Sequence, residues 1–318
     1  GIPTAIRRIL ASHIAITLKN RFGEHLLPFN YAVGIKGGMD FIIKAMQLSI
    51  EKYIISPQQQ SKLPSRAAAF IDLTNMFNNI SREELFDIVH NHFPELTPLT
   101  TLIYDQPADV HFKWENDKWK SIAMQEGVNQ GCPLSSTFAS LVLNRILQPL
   151  NTLLKQRATE RLNNGDPGDD GFGGITHLFA WVDDISCTVP HADLKFLLDN
   201  IKTLGDKRGC FINPEKSRIL TSCTGRSILP SLRTTNPSLT TEIEYSINTY
   251  STEKSGNSTI GIELTDGFRL LGTPVGSASF ANNFFLEQLE QIVKHDPHTD
   301  GLINRDKLMA LLIEYEVV

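Results

Sequence analysis

Residues 178–189 read LFAWVDDISCTV, in which two adjacent carboxylates stand between two apolar runs. Short apolar runs on either side of a polar pair predict a strand, a tight turn and a second strand. Two carboxylates at the end of a buried hairpin would repel each other unless a cation lies between them. The segment therefore predicts a β-hairpin whose turn presents Asp183 and Asp184 as a candidate cation site.

A third carboxylate follows a separate apolar run. Residues 67–71 predict a short buried strand, and Asp72 stands directly after it. A single Asp in this position is usually a cap or turn residue, and an Asp–Asp pair usually marks a solvated turn, as Asp169 and Asp170 do in a glycine-rich loop. Carboxylates are also the ligands that hard cations such as Mg²⁺ prefer. On these residues alone both interpretations stay open.

Periodicity and cap residues extend the pattern along the chain. Ser81-Arg82-Glu83-Glu84 is a capping box, which predicts that a helix starts there. The alternation of strands with helices predicts an α+β fold or a mixed sheet, with helices packed on one face of the sheet. Further predicted elements are helices over 3–20, 39–55, 134–155 and 191–208, a hairpin with Trp114 and Trp119, a surface insertion over 221–266, a strand over 268–275 and a helical tail from Asn282.

The net charge of −5 hides an asymmetry along the chain. Residues 1–66 contain nine Lys or Arg and three Asp or Glu, a net +6, whereas the remainder carries 21 basic and 32 acidic residues, a net −11. The basic part could grip a phosphate backbone and the acidic part could hold metal ions, although ordinary surface charge explains the same numbers. In the first predicted helix the apolar face consists of Ile6, Ile9, Leu10, Ile14 and Leu18.

The composition favours a packed intracellular protein. Hydrophobic residues make up 41% of the 318 residues and charged residues 20%, which predicts a globular core. The sequence contains no apolar run of about 18 residues, so no membrane partner is expected. Four scattered cysteines without a CxxC pair indicate reduced thiols inside the cell, in the nucleus or the cytoplasm. Protein partners cannot be inferred from these residues.

The carboxylates belong to an ordered series of motifs. Five segments resemble motifs A to E of reverse transcriptases, in the order of that family, and 1–8 and 33–45 resemble the finger motifs that precede motif A. Non-long-terminal-repeat retrotransposons and group II introns are the most similar subgroup. Trp181 replaces the usual tyrosine of motif C, and Met76 replaces the alanine of motif A. The five segments are 70–78 (FIDLTNMFN), 127–135 (GVNQGCPLS), 181–184 (WVDD), 213–217 (NPEKS) and 270–272 (LLG).

The resemblance implies a right-hand polymerase of the α+β class. Such a fold has fingers, a palm with an antiparallel sheet and packed helices, and, in this chain, a partial thumb. The implied boundaries are fingers at 1–66 and 96–128, palm at 67–95 and 129–276, and the start of the thumb at 277–318.

The resemblance also implies a metal site. Asp72 and Asp183 would bind two Mg²⁺ ions, or Mn²⁺, with Asp184 in support and the carbonyl of Leu73 completing one coordination shell. Lys216 would approach the β- and γ-phosphates and act as general acid toward pyrophosphate. The alternative for Lys216 is an ordinary exposed lysine.

Other positions would contact nucleotide and primer. Phe77 corresponds to an aromatic steric gate, which rejects ribonucleotides by a clash with the 2′-hydroxyl. Gln130 and Gly131 would lie against the incoming nucleotide and the template base, and Leu271 and Gly272 would form the primer grip. Three residues of the fingers, Arg7, Arg8 and Lys36, would contact template or nucleotide phosphates. The alternative for them is a solvated helix face.

These features predict an RNA-directed DNA polymerase from a retrotransposon, which adds deoxynucleotides to a DNA primer on an RNA template. One alternative is a catalytically inactive nucleic-acid-binding protein of the same fold, and the intact carboxylates argue against it. Another is an RNA-dependent RNA polymerase. Phe77 argues against that alternative, since RNA polymerases place a polar residue there to accept the 2′-hydroxyl.

Overall fold

The fold is known from a computed structural model, which describes residues 5–55, 66–114, 118–164, 176–221, 252–254, 258–260, 262–265 and 267–295. Helices and strands alternate within these ranges, which confirms the α+β class. The helices are α1 (Ala5–Thr17), α2 (Lys19–Leu26), α3 (Gly38–Ile50), α4 (Met76–Asn79), α5 (Arg82–His92), α6 (Thr97–Tyr104), α7 (Ser135–Asn163), α8 (His191–Asp206) and α9 (Ala278–His295). None of the helices in the described part of the chain has the length and apolar character needed to cross a membrane.

The strands form one main sheet and three hairpins. The main sheet has the order β4-β5-β1-β6-β9, in which the β6–β9 pair is parallel and the other pairs are antiparallel. The hairpins are β2–β3, β7–β8 and β10–β11. The strands are β1 (Arg66–Ile71), β2 (Ala108–Lys113), β3 (Trp119–Met124), β4 (His177–Trp181), β5 (Asp184–Pro190), β6 (Arg218–Thr221), β7 (Thr252–Lys254), β8 (Ser258–Ile260), β9 (Glu263–Thr265), β10 (Gly267–Leu270) and β11 (Thr273–Gly276).

Strand β1 lies at the centre of the sheet and separates two cores. Ala67, Ala69 and Ile71 join a core that includes the buried leucines of α5, α7 and α8. Ala68 and Phe70 point to the opposite face and join a second core, built from α3 and the β10–β11 hairpin. Alternate residues of a strand face opposite sides of a sheet, so both faces are covered. The prediction of helices on one face only is therefore wrong.

Several predicted elements are confirmed. The predicted helix over 39–55 is α3 followed by a π-helical turn at Glu51–Ile55, and the helices over 134–155 and 191–208 are α7 and α8. The capping box is also present, because Ser81 Oγ accepts from the backbone N–H of Glu84 at 3.3 Å. Apolar periodicity or a cap motif is visible within each of these segments, which explains why the sequence predicts them.

Ile14 and Leu18 of the predicted apolar face of the first helix pack against the first core, but Ile6 and Ile9 do not. Ile6 and Ile9 are 81% and 72% exposed, and Ala11 is the buried residue of α1. Arg7, which was expected off the apolar face, lies over the ring of Tyr104 instead. A guanidinium group is attracted to the face of an aromatic ring, so apolar periodicity alone predicted the packed face of this helix only in part.

The region near residue 265 also departs from prediction. The predicted surface insertion contains β9, which is a strand of the main sheet, and the buried Ile262 precedes it. The predicted strand over 268–275 is a hairpin, because Leu271 and Gly272 turn the chain between β10 and β11. Residues 222–251, which make up most of the insertion, lie outside the described residues.

Three cysteines are free and buried: Cys132, Cys187 and Cys210. Burial raises the pKa of the Cys187 and Cys210 thiols to about 12. Such thiols are unreactive at neutral pH because the thiolate is the reactive form. Cys223 lies outside the described residues.

Candidate active site

Strand pairing brings the three predicted carboxylates to one end of the sheet. Strands β1 and β5 are antiparallel, and Ile71 is paired with Ile185. The residue after β1, Asp72, therefore lies beside the first residue of β5, Asp184, and Asp183 lies in the adjoining turn. Two segments more than 100 positions apart in the sequence thus place their carboxylates together.

The three carboxyl groups repel one another. Burial, together with the charges of Asp183 and Asp72, raises the pKa of Asp184 to about 6, and the cationic Lys216 opposes the shift. The pKa of Asp183 is also raised, first by burial and then by Asp72, against a hydrogen bond from the backbone and the charge of Lys216. A nearby cation would lower both pKa values, so the site favours a positively charged ligand.

The donor set fits a hard divalent cation. Carboxylate and carbonyl oxygens are the ligands of Mg²⁺, and Asp72, Asp183 and Asp184 provide the carboxylates beside the buried Leu73. Among the residues that the structure describes, no group of three or more His, Cys, Asp or Glu side chains is arranged to hold a metal ion.

Two residues of the segment 213–217 hold Asp72 in place. Asn213 Nδ2 donates to Asp72 Oδ2 at 2.9 Å, and the Asn213 backbone N–H donates to the Asp72 carbonyl, also at 2.9 Å. Ser217 Oγ accepts from the Asp72 backbone N–H at 3.2 Å. The motif predicts a role only for Lys216, so these contacts were missed.

A cleft of about 460 Å³ opens beside the carboxylates. Asp72 and Asp184 line one side of it, together with the exposed Lys216. Leu271 lines it from the turn between β10 and β11, and its neighbour Gly272 has a φ of 90°. The structure thus brings the predicted primer-grip turn, the predicted phosphate-binding lysine and two of the carboxylates to one cleft, although their roles stay predictions.

A second cleft, of about 410 Å³, contains the predicted nucleotide-binding residues. Phe77, Gln130 and Gly131 line it together. The backbone joins these two segments, since the Val128 N–H donates to the Phe77 carbonyl at 2.6 Å. Gly127, with a φ of 75°, lies against the backbone of the segment containing Phe77, and a Cβ there would meet main-chain atoms at 2.4 Å. Glycine is therefore required at this close approach.

The predicted finger residues lie in different surroundings. The guanidinium of Arg7 contacts the side-chain oxygen of Asn129, with Nη1 at 3.0 Å, and lies 5.8 Å from the ring centre of Tyr104. Arg7 is thus placed next to the loop that carries Gln130. Arg8 and Lys36 are exposed, as both a phosphate contact and a solvated surface would require.

A family comparison extends over most of this region. Residues 38–275 match the model of the family described as reverse transcriptase (RNA-dependent DNA polymerase). A comparison with curated proteins gave no significant match. The matched range contains Asp72, Asp183 and Asp184, and it spans well over half of the chain.

Solved telomerase structures are also similar. The chain is 14% identical to apo telomerase from Candida tropicalis truncated from its C-terminal domain, covering 70% of this chain and 42% of that one, with a TM-score of 0.42. It is 11% identical to telomerase from Candida albicans in complex with a TWJ fragment of telomeric RNA, covering 86% and 38%, with a TM-score of 0.44. The chain thus spans less than half of either telomerase, and TM-scores this low carry no conclusion about its function.

The antiparallel sheet with helices packed against it agrees with the right-hand polymerase fold that the motifs imply. The family match covers the main sheet from β1 to β6 and the β10–β11 hairpin. The chain therefore belongs to the reverse transcriptase (RNA-dependent DNA polymerase) family.

Proposed function

We propose that the chain is an RNA-directed DNA polymerase that uses a two-metal mechanism. The observation that carries the proposal is the meeting of Asp72, Asp183 and Asp184 at one end of the sheet, with Lys216 facing them. When bound there, two divalent ions would align the primer 3′-oxygen with the α-phosphate and neutralise the developing charge. Mg²⁺ fits the donor set, and Mn²⁺ would substitute for it.

The chain's own residues would do the remaining work. Asp72 and Asp183 would hold the ions, Asp184 would support them, and the Leu73 carbonyl would complete one shell. Phosphoryl transfer needs positioning and charge compensation more than covalent help. Lys216 would therefore pair with the β- and γ-phosphates and donate a proton to the pyrophosphate oxygen that leaves.

The second cleft would account for nucleotide selection. The side chain of Phe77 shares that cleft with Gln130 and Gly131, so a sugar placed there would meet its ring. A ring in contact with C2′ would exclude a 2′-hydroxyl by clash, and deoxynucleotides would be preferred. Arg7, held at the loop of Gln130 through Asn129, would contact template or nucleotide phosphate, as would Arg8 and Lys36.

The proposal includes the remaining features of the sequence interpretation. RNA is the proposed template and DNA the proposed primer, whose end the turn at Leu271 and Gly272 would support. A retrotransposon of the non-long-terminal-repeat type, or a group II intron, is the proposed source, and the enzyme would act inside the cell. The proposed fingers, palm and thumb boundaries are those that the motifs imply.

Primer extension tests this function. A DNA primer annealed to an RNA template is supplied with deoxynucleotides and either Mg²⁺ or Mn²⁺, and wild type is compared with Asp183→Asn. Extension by wild type that is lost in the variant supports the proposal. Binding of primer–template without extension under either metal would favour an inactive nucleic-acid-binding protein.

Sugar selection is tested in the same assay. Phe77→Ala removes the proposed gate, so ribonucleotide incorporation should rise relative to deoxynucleotide incorporation. A wild-type enzyme that already prefers ribonucleotides would favour an RNA-dependent RNA polymerase, and an unchanged preference in the variant would refute the gate.

A further inference from the structure

The turn that carries the aspartates has an uncommon backbone conformation. Val182 has a φ of 56°, in the left-handed region that β-branched residues rarely adopt. Such a conformation persists at a functional site only where its surroundings hold it. A contact from outside the β4–β5 hairpin is therefore expected at this turn.

Asn30 provides that contact. The residue is fully buried, and its Nδ2 donates to the Val182 carbonyl at 3.2 Å. Its Oδ1 accepts from the backbone N–H of Ala32 at 3.1 Å. Because Ala32 fixes the oxygen of the amide, the nitrogen is directed at the turn.

The backbone around Asn30 is joined to the same hairpin. The Ala180 N–H donates to the Phe29 carbonyl at 2.7 Å, and the Tyr31 N–H donates to the Ala180 carbonyl at 3.1 Å. These bonds form a parallel bridge between Asn30 and Ala180 on the outer side of β4, an edge strand of the main sheet. The bridge holds Asn30 at a constant distance from the turn.

We propose that Asn30 is a positioning residue, which holds the Val182 peptide so that Asp183 and Asp184 face Asp72. This inference rests on the proposed polymerase function. Without the amide, the Val182 peptide would rotate toward a more favourable conformation and carry the Asp183 carboxylate with it. Binding of divalent ions would weaken, whereas primer–template binding would not change.

The test compares Asn30→Leu with Asn144→Leu. Both variants replace a buried asparagine by an apolar residue of similar size, and Asn144 on α7 donates to the His25 carbonyl of α2 at 2.9 Å. Mn²⁺ binding to the protein–primer–template complex is measured by electron paramagnetic resonance, and extension is measured against Mg²⁺ concentration. We expect Asn30→Leu to weaken Mn²⁺ binding and to raise the half-saturating Mg²⁺ concentration by at least about tenfold, and Asn144→Leu to change each by less than about twofold.

Val182→Gly provides a second arm. Glycine adopts positive φ without support, so Asn30→Leu should lose most of its effect in the Val182→Gly background. Three outcomes would overturn the proposal. They are unchanged Mn²⁺ binding in Asn30→Leu, equal losses of Mn²⁺ binding in the two asparagine variants, and failure of Asn30→Leu to fold in either background. If wild type binds Mn²⁺ but extends no primer, the polymerase function fails while the Mn²⁺ comparison still decides the role of Asn30. If wild type binds no Mn²⁺, both fail.

Discussion

Two hairpin turns lie next to the same cleft, which Leu271 of one turn and Asp184, the residue after the other turn, both line. The two turns keep their shape by different means. The β4–β5 turn consists of Val182 and Asp183, and the β10–β11 turn consists of Leu271 and Gly272. Both begin with a bulky aliphatic residue at positive φ, 56° for Val182 and 48° for Leu271. The second residue is glycine, with a φ of 90°, in the β10–β11 turn and an aspartate in the β4–β5 turn.

The two turns differ in what sets their conformation: their own residues in one case and a residue from elsewhere in the fold in the other. A two-residue hairpin turn with two positive φ values favours glycine, so the β10–β11 turn is stabilised by its own sequence. The β4–β5 turn has a β-branched residue, Val182, at positive φ with no glycine beside it, and the distant Asn30 donates to the Val182 carbonyl. A proposed catalytic role thus coincides with the turn in which a positive φ is not accompanied by glycine.

The largest effect is expected from removing the charge of Asp183 in the β4–β5 turn. Asp183→Asn removes a proposed metal ligand, and losing several kcal/mol of charge stabilisation corresponds to a roughly thousandfold slower extension. Primer–template affinity, measured by fluorescence anisotropy, should stay within a few-fold of wild type. Near-normal extension in this variant would remove the metal role of Asp183.

A smaller effect is expected in the β10–β11 turn. A Cβ at Gly272 would meet only Arg269 Nη2, at 4.0 Å, so Gly272→Ala adds no clash. The substitution should lower the unfolding free energy measured in urea by about 1–2 kcal/mol, because alanine tolerates positive φ less well than glycine. It should also weaken primer binding. Gly37→Ala is the matched control, because Gly37 has a φ of 71° and a Cβ there meets nothing within 4 Å. It should lose similar stability with unchanged primer affinity, and equal affinities in the two variants would argue against the primer grip.

The pH dependence of stability distinguishes the turns further. The pKa of Asp184 in the folded protein is about 6, above its ordinary value of 3.8, so the folded state binds more protons than the unfolded state between these values. The metal-free protein should therefore gain stability from this group as pH falls from about 7 to about 4. Asp184→Asn should lose that gain and be the more stable protein at pH 7, whereas Gly272→Ala should keep the wild-type pH profile. Thermal unfolding in EDTA measures the difference, and an opposite slope would contradict the raised pKa.

The smallest effect is expected from replacing the first residue of each turn by glycine. In Val182→Gly, relief of left-handed strain, about 1–2 kcal/mol, offsets the greater backbone entropy of glycine, about 0.5–1 kcal/mol. Unfolding free energy should therefore stay within about 1 kcal/mol of wild type. Leu271→Gly should be the less stable variant, because Leu271 packs against the second core. A Val182→Gly protein that unfolds more readily than Leu271→Gly would refute strain at the β4–β5 turn.

Much of the site could be predicted because its signals are local. Asp72 follows a strand and Asp183 lies in a hairpin turn, and both features are visible in short windows of sequence. Phe77 and Gln130 lie in ordered motifs, and the structure places them in one cleft. Of the residues that pattern and resemblance identify, Asp72, Asp184 and Lys216 line the first cleft, and Phe77, Gln130 and Gly131 line the second.

The supporting contacts could not be predicted because they join distant segments. Asn30 lies 152 positions from Val182, and Asn213 lies 141 positions from Asp72. Nothing in the local sequence distinguishes these asparagines from solvated ones. The packed face of α1 was predicted only in part for the same reason, since the position of Arg7 depends on Tyr104, which belongs to another helix.

Strand β1 limits how this protein can diverge. Its three consecutive alanines, Ala67 to Ala69, face two cores in alternation, so a larger residue at any of them displaces helices on one side or the hairpin on the other. Either displacement reaches Asp72 at the end of the strand. Lineages that preserve catalysis should therefore keep small residues there even where both surrounding cores have been rebuilt.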